Sequence, residues 1–276
     1  MLAFTQVDVF TDTLCAGNPV AVVHGADGLT DEGMAAFARW TNLSETTFLV
    51  APTDPAADYR VRIFTPREEL PFAGHPTLGS ARAWLDAGGV PRSATEVVQQ
   101  CAVGLVPVRV DDGRLAFAAP PLRRSGPVDG GRLARITAAL GLRGDQVVDA
   151  TWCDNGPGWI GLLLPDAETA LAVEPDRVAL GEVKVGVVGP HPPGSEVAFE
   201  VRAFVPGVGL GEDPVTGSLN AALAQWLIAA GRAPTSYVAA QGTRLQRRGR
   251  VFVEQRSGQV WVGGDTVVGV TGTVAL

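Results

Sequence analysis

Three titratable residues stand where the local pattern of the chain changes. His75 lies in Phe72-Ala73-Gly74-His75-Pro76-Thr77-Leu78-Gly79, and Asp213 lies in Gly211-Glu212-Asp213-Pro214-Val215-Thr216-Gly217-Ser218. In both segments an extended stretch gives way to a helix with an apolar face, with proline close to the change. A helix start leaves backbone N–H groups unpaired and carries the positive end of the dipole, so each is an anion site suited to a substrate carboxylate. Gly74 and Gly217 lack a Cβ and admit a close backbone approach. Read alone, Asp213 is equally well an N-cap.

Glu45 is the third candidate. It sits in Thr41-Asn42-Leu43-Ser44-Glu45-Thr46-Thr47-Phe48, where a helix hands over to a strand among small hydroxyl residues. Alone it reads as a solvated loop acid. Tucked into a cleft and held by Ser and Thr hydroxyls, its pKa would rise with burial, which suits a general base that must also return a proton. Groups able to exchange protons on opposite sides of a cleft are what proton abstraction and return at carbon require.

The elements that must position these residues are mostly strands. Ala3–Phe10, Val20–Val23, Thr46–Val50, Tyr59–Phe64, Leu105–Val110 and Leu115–Ala118 are short and mostly β-branched or aromatic, with Asp112-Gly113 as a hairpin turn. Thr30 caps a helix to about Thr41 that presents Met34, Phe37 and Trp40 or Thr41 on one face, and a second helix covers Pro76 to Asp86. The second half predicts a helix over 133–140, strands over 159–164, 184–188 and 197–204, and a longer helix over 216–230. Strands over 251–254, 259–262 and 267–270 follow. Runs of strands with a few helices predict an α+β fold, not a doubly wound sheet. Trp84, Trp226 and Trp261 fall on apolar faces and read as core.

A repeat runs through this order. Arg62-Ile63-Phe64-Thr65-Pro66 matches Arg202-Ala203-Phe204-Val205-Pro206, and Pro76-Thr77-Leu78-Gly79-Ser80 matches Pro214-Val215-Thr216-Gly217-Ser218. Gly17-Asn18-Pro19 is echoed by Asn155-Gly156-Pro157. Such pieces also arise as ordinary strand-end and helix-start grammar, but three in order at nearly constant offset predict two duplicated halves facing across a cleft. The second match sets His75 against Asp213 as equivalent positions. The stretch 120–127, Pro-Pro-Leu-Arg-Arg-Ser-Gly-Pro, is the linker expected between halves 1–121 and 122–276, with the last strand able to return to the first half.

Composition narrows the function. Of 276 residues, 29 are acidic and 22 basic, a net charge of -7, which argues against nucleic acid or anionic lipid as partner. The one lysine, Lys184, has neither a P-loop nor a Schiff-base setting. Cys15, Cys101 and Cys153 are too few for a disulfide scaffold, and with His24, His75 and His191 equally scattered, no metal site is expected. The N-terminus reads as a strand, not a leader, and no apolar run is long enough for a membrane span, so a cytoplasmic enzyme is expected. Gly207-x-Gly209-x-Gly211 is a weak glycine pattern, read as an approach to the Asp213 helix, and Arg247-Arg248-Gly249-Arg250 reads as a solvated turn.

Taken together, Asn42-Leu43-Ser44-Glu45-Thr46-Thr47-Phe48, Arg62-Ile63-Phe64-Thr65-Pro66, the Glu69–Gly79 segment and the Gly211–Ser218 segment resemble the phenazine-biosynthesis PhzF-like isomerases. Val7-Asp8-Val9-Phe10, Gly17–Val23 and Val262-Gly263-Gly264 extend the resemblance over nearly the whole chain. It implies a diaminopimelate-epimerase-like fold: two pseudo-symmetric α+β halves, each a sheet wrapped around a central helix. It also implies cofactor-free isomerisation of a small carboxylate, such as a dihydro-hydroxyanthranilate. Glu45 would be the acid/base, His75 and Asp213 would orient the substrate and assist proton movement, and backbone amides near Gly74, Gly217 and Ser218 would hold the carboxylate. A homodimer is implied as well. Leu245-Gln246-Arg247-Arg248-Gly249-Arg250 departs from the Arg-Pro-Ser that members often carry there.

Two other readings stand beside it. A racemase or epimerase of the diaminopimelate or proline type would need a thiol from each half beside the helix starts, where this chain has His75 and Asp213; Cys15 and Cys153 read as core. A non-catalytic binding protein on the same fold is the other.

Overall fold

In the computed structural model, which describes residues 1–206 and 211–276, the chain forms two compact units. One is Met1–Ala118 with Gly263–Leu276, and the other is Ala119–Val262. The glycine pattern at 207 and 209 lies outside the described residues.

The first unit opens with β1 (Leu2–Val9), antiparallel to β2 (Asn18–Val23). Helix α1 (Asp31–Thr41) starts at Thr30, whose hydroxyl accepts the Gly33 N–H at 3.1 Å, and stops at Asn42, which takes left-handed backbone at φ 53. Met34, Phe37 and Ala38 anchor α1 on Phe48 and Phe64, while Trp40, 78% exposed, lies on the outside, stacked on Phe37. β3 (Glu45–Val50) follows at once, parallel to β2 and antiparallel to β4 (Tyr59–Phe64). The two-residue β5 (Glu69–Leu70) leads into α2 (Gly74–Asp86), and β6 (Glu96–Cys101), β7 (Gly104–Asp111) and β8 (Arg114–Ala118) complete the meander. Asp112 and Gly113 both take positive φ, as a two-residue hairpin turn of the primed type demands. Helix α2 packs against β1 to β4 and β6 to β8, so the sheet wraps around it. Gly79 permits this: a Cβ there would lie 2.2 Å from Val20 Cγ1 on β2.

In the second unit β9 (Arg124–Pro127) pairs with β10 (Asp149–Asp154). Much of the expected linker is thus a strand; its backbone bonds to β10 outweigh the turn-like composition. Helix α3 (Gly130–Ala139) is capped by Asp129. β11 (Ile160–Leu163), α4 (Ala167–Ala172), α5 (Arg177–Leu180), β12 (Val185–Pro190), β13 (Phe199–Phe204) and β14 (Glu212–Asp213) lead to α6 (Gly217–Ala229). α6 is buried around most of its circumference, as a helix in the middle of a unit must be. β15 (Ser236–Gln241), β16 (Gly249–Arg256) and β17 (Gln259–Gly264) follow. Finally β18 (Thr266–Val274) lies antiparallel along all of β1 in the first unit, from Leu2↔Val274 to Val9↔Thr266.

The two units repeat one plan. Val20 pairs with Glu45 in parallel β2–β3, and Ile160 with Val185 in parallel β11–β12, each partner 140 residues on. Tyr59↔Gln99 and Phe199↔Ala239 keep the same offset. Arg62 grips Glu69 with two hydrogen bonds of 2.8 and 2.7 Å, and Arg202 grips Glu212 with two of 2.9 Å. Each guanidinium lies over a ring on its own strand, Phe64 or Phe204. After this point the offset grows: Glu69 corresponds to Glu212 and Gly74 to Gly217, each 143 residues on. The equivalence expected between His75 and Asp213 is therefore corrected. His75 corresponds to Ser218, and Asp213 to Leu70, because Pro76 is inside its helix while Pro214 precedes its own.

Candidate active site

The start of α2 positions His75. Ala73 is the N-cap residue and no side chain caps the helix, while Pro76 brings no N–H. The amides of Gly74 and His75 therefore have no partner within the helix. The His75 ring is buried, with Nδ1 3.4 Å from Asn18 Nδ2 on β2 and Nε2 3.4 Å from Glu45 Oε2. The parallel pairing of β2 and β3 brings Asn18 and Glu45 to one strand end, so both meet the same imidazole.

Burial pushes the His75 imidazole down to about 3, against the opposing effect of a hydrogen bond to the Pro19 backbone. The ring is thus neutral at ordinary pH, with one nitrogen carrying a proton and the other a lone pair. An N–H facing Glu45 supports the carboxylate; a lone pair facing it supports the carboxylic acid. A neutral histidine can accompany Glu45 in both states of a proton-transfer cycle.

The Glu45 side chain is 16% exposed, so the solvated-loop reading does not hold. Thr46 bonds to Thr41 at 2.8 Å, and Thr47 donates to the Ala21 carbonyl at 3.2 Å and accepts from Ser80 at 2.9 Å. Behind His75, Thr77 donates to the Ala73 carbonyl and accepts from Gln99 Nε2, which is itself held by Tyr59.

In the second unit Asp213 ends β14 and is buried. It is not the N-cap of α6. Thr216 is, and its hydroxyl donates to Asp213 Oδ2 at 2.6 Å. No side chain caps α6, so the amides of Gly217 and Ser218 lack helical partners as those of Gly74 and His75 do. Ser218 Oγ accepts from Trp159 Nε1 at 3.0 Å, and the Ser218 carbonyl accepts from Asn155 at 2.8 Å. Asn18 and Asn155, the two echoed asparagines, each reach the second residue of their unit's central helix. Gln241, Asn220 and Thr216 form a buried amide network under this helix start. Sequence reasoning missed it, although a buried glutamine breaking a strand's apolar pattern is a readable sign.

Other expectations change. Cys153 is buried, its thiol pushed up to about 12, but Cys15 is exposed and not core. Neither lies at a helix start. Trp84, Trp226 and Trp261 are half-buried, not fully core. Arg247 and Arg250 are likewise half-buried, with Arg248 exposed. Among the described residues no group of three or more His, Cys, Asp or Glu is placed to hold a metal ion, and no helix is long and apolar enough to cross a membrane.

A family model described as phenazine biosynthesis-like protein matches residues 7–273. The chain belongs to this family. Antisense-enhancing sequence 1 of Schizosaccharomyces pombe is 36% identical over 98% of this chain and 97% of its own length. The trans-2,3-dihydro-3-hydroxyanthranilate isomerase of Pseudomonas aeruginosa is 34% identical over 81% of this chain and 79% of its own. A crystal structure of a phenazine biosynthesis protein of the PhzF family from Enterococcus faecalis superimposes with a TM-score of 0.81 at 27% identity, covering 100% and 99% of the two chains. Membership of the phenazine biosynthesis-like family thus groups the chain with isomerases and accounts for its mixed α+β architecture.

Proposed function

We propose that this phenazine biosynthesis-like protein is a cofactor-independent isomerase that moves a proton between two carbons of a small, cyclic carboxylate. A dihydro-hydroxyanthranilate is the first candidate substrate. Glu45 takes the proton, the electron pair shifts through the substrate's unsaturated system, and Glu45 returns the proton at the second carbon. His75 stays neutral and supports Glu45 in both forms. The amides at the start of α2 that have no partner within the helix, including that of Gly74, favour the substrate carboxylate and the charge that develops beside it. Asp213, Gly217 and Ser218 carry a second part of the proposal: the uncapped start of α6 also serves the substrate, with Asp213 assisting proton movement.

One observation carries this reading. A mostly buried carboxylate lies 3.4 Å from a buried, neutral imidazole at an uncapped helix start. A carboxylate held largely away from water is a stronger base toward carbon, and preorganised amides meet a developing anion.

Turnover of trans-2,3-dihydro-3-hydroxyanthranilate by protein dialysed against chelator, without added cofactor, tests the proposal. Glu45→Gln should lower kcat by roughly 10²–10⁴-fold with an unchanged melting curve. Retention of activity in that variant rejects Glu45 as the base. Parent protein that is inactive here but active on another carboxylate rejects the substrate alone. Resemblance to the family adds a cytoplasmic homodimer to the proposal, for which sedimentation should give twice the chain's 28.7 kDa.

A further inference from the structure

The carboxylate of Asp213 is reached through a chain of hydrogen bonds whose direction is fixed from one end. The Thr216 backbone N–H donates to Gln241 Oε1 at 3.0 Å, as does Asn220 Nδ2 at 2.8 Å. Two donors on this oxygen settle which way the Gln241 amide faces, since the flipped amide would set N–H against N–H. Gln241 Nε2 must then point to the other side, where it donates to the Asp213 carbonyl at 3.1 Å and to Thr216 Oγ1 at 3.0 Å. Thr216 Oγ1 already accepts there, and its own proton goes to Asp213 Oδ2 at 2.6 Å. Gln241 is fully buried and Thr216 nearly so, so water does not compete with these bonds.

We propose that Gln241 and Thr216 are positioning residues for Asp213: the Gln241 amide orients the Thr216 hydroxyl, which holds the carboxylate in one rotamer and favours its ionised form. This deepens the assignment of Asp213 above and rests on it only for its catalytic consequence. The first unit shows what plain helix anchoring looks like. There Gln99 donates to Thr77, but the Thr77 hydroxyl ends on the Ala73 carbonyl, a group that does not titrate. In the second unit Asn220, 143 residues after Thr77, likewise donates to the Thr216 carbonyl, and the Thr216 hydroxyl, where the first unit has Ala73, adds a bond that ends on a carboxylate. Charged groups around this helix start include Glu212, next to Asp213 in sequence and bound to Arg202, and Arg247 on the turn after β15, where a Cβ on Gly242 would lie 2.6 Å from the Pro214 carbonyl and 3.0 Å from Arg247 Cβ. They are the same in parent and variants and cancel in a comparison.

Carbon-13 NMR of aspartate-labelled protein, with the Asp213 signal identified by its loss in Asp213→Asn, tests this. In Thr216→Val the Asp213 carboxyl should titrate about one pH unit higher than in the parent, and Thr216→Ser should restore the parent value. The kcat/KM profile on trans-2,3-dihydro-3-hydroxyanthranilate should move with it, with a loss of roughly tenfold in Thr216→Val near the acid limb. An unshifted Asp213 in folded Thr216→Val overturns the proposal. The unmodified protein gives a second test: the Thr216 side-chain signals should titrate with the same midpoint as the Asp213 carboxyl, and their indifference to it overturns the proposal also. Asp213→Asn with full turnover, by contrast, would remove Asp213 from the reaction and leave the titration result standing.

Discussion

Glu45 and His75 lie 3.4 Å apart, the carboxylate mostly buried and the imidazole kept neutral by its burial. The ordinary imidazole value is 6.5, and burial takes His75 down to about 3. Between these values the unfolded chain binds a proton that the folded one refuses, so stability rises with pH through this window, is complete above about 6.5, and is lost as pH falls toward 3. The contribution is on the order of a few kcal/mol. Replacing His75 with Gln should flatten the dependence of the urea midpoint on pH between 6.5 and 3; an unchanged slope would show that another group carries it. Both residues were legible in the sequence as types at pattern boundaries. Their contact across 30 residues of chain was not, because it depends on the parallel pairing of β2 and β3.

Elements explain what the sequence concealed. The strands that pattern reading missed include β6 and β15, and each carries a fully buried glutamine, Gln99 or Gln241, where an apolar residue would have completed the alternation. These glutamines clamp the starts of α2 and α6. Local rules fail there because the fold uses the position to hold a helix start. The misaligned repeat has a similar origin: three extra residues between β13 and β14 shift the helix starts, and a proline match hid the shift. The Arg–Glu clamps of the two units make a natural comparison. Arg202 and Glu212 are buried, and Arg202 also donates to the carbonyls of Ala170, Leu171 and Val173 at the end of α4. Arg202→Ala strands a buried carboxylate and should cost about 3–5 kcal/mol in denaturant unfolding. Arg62 is partly exposed, and Arg62→Ala should cost about 1 kcal/mol or less. Equal losses would contradict the assigned difference in burial.

At the scale of the whole chain, the last strand closes the first unit. β18 pairs with β1 along its length, so a chain ending at Gly264 leaves the edge of β1 bare. Such a truncation should lose its cooperative thermal transition and aggregate; a soluble, cooperatively melting product would show that β18 is dispensable. Duplication was readable from three short matches, while the pairing of β18 with β1 joins strands at opposite ends of the chain and has no local signal. The central claim is that Glu45 carries hydrogen between two carbons of one substrate. Mass spectrometry of product formed from trans-2,3-dihydro-3-hydroxyanthranilate in heavy water measures this most directly. Because Glu45 is 16% exposed, the proton it holds exchanges with solvent before the return step, so the account predicts deuterium at one carbon with the parent protein and none above background with folded Glu45→Gln. Equal incorporation by the two proteins would contradict it.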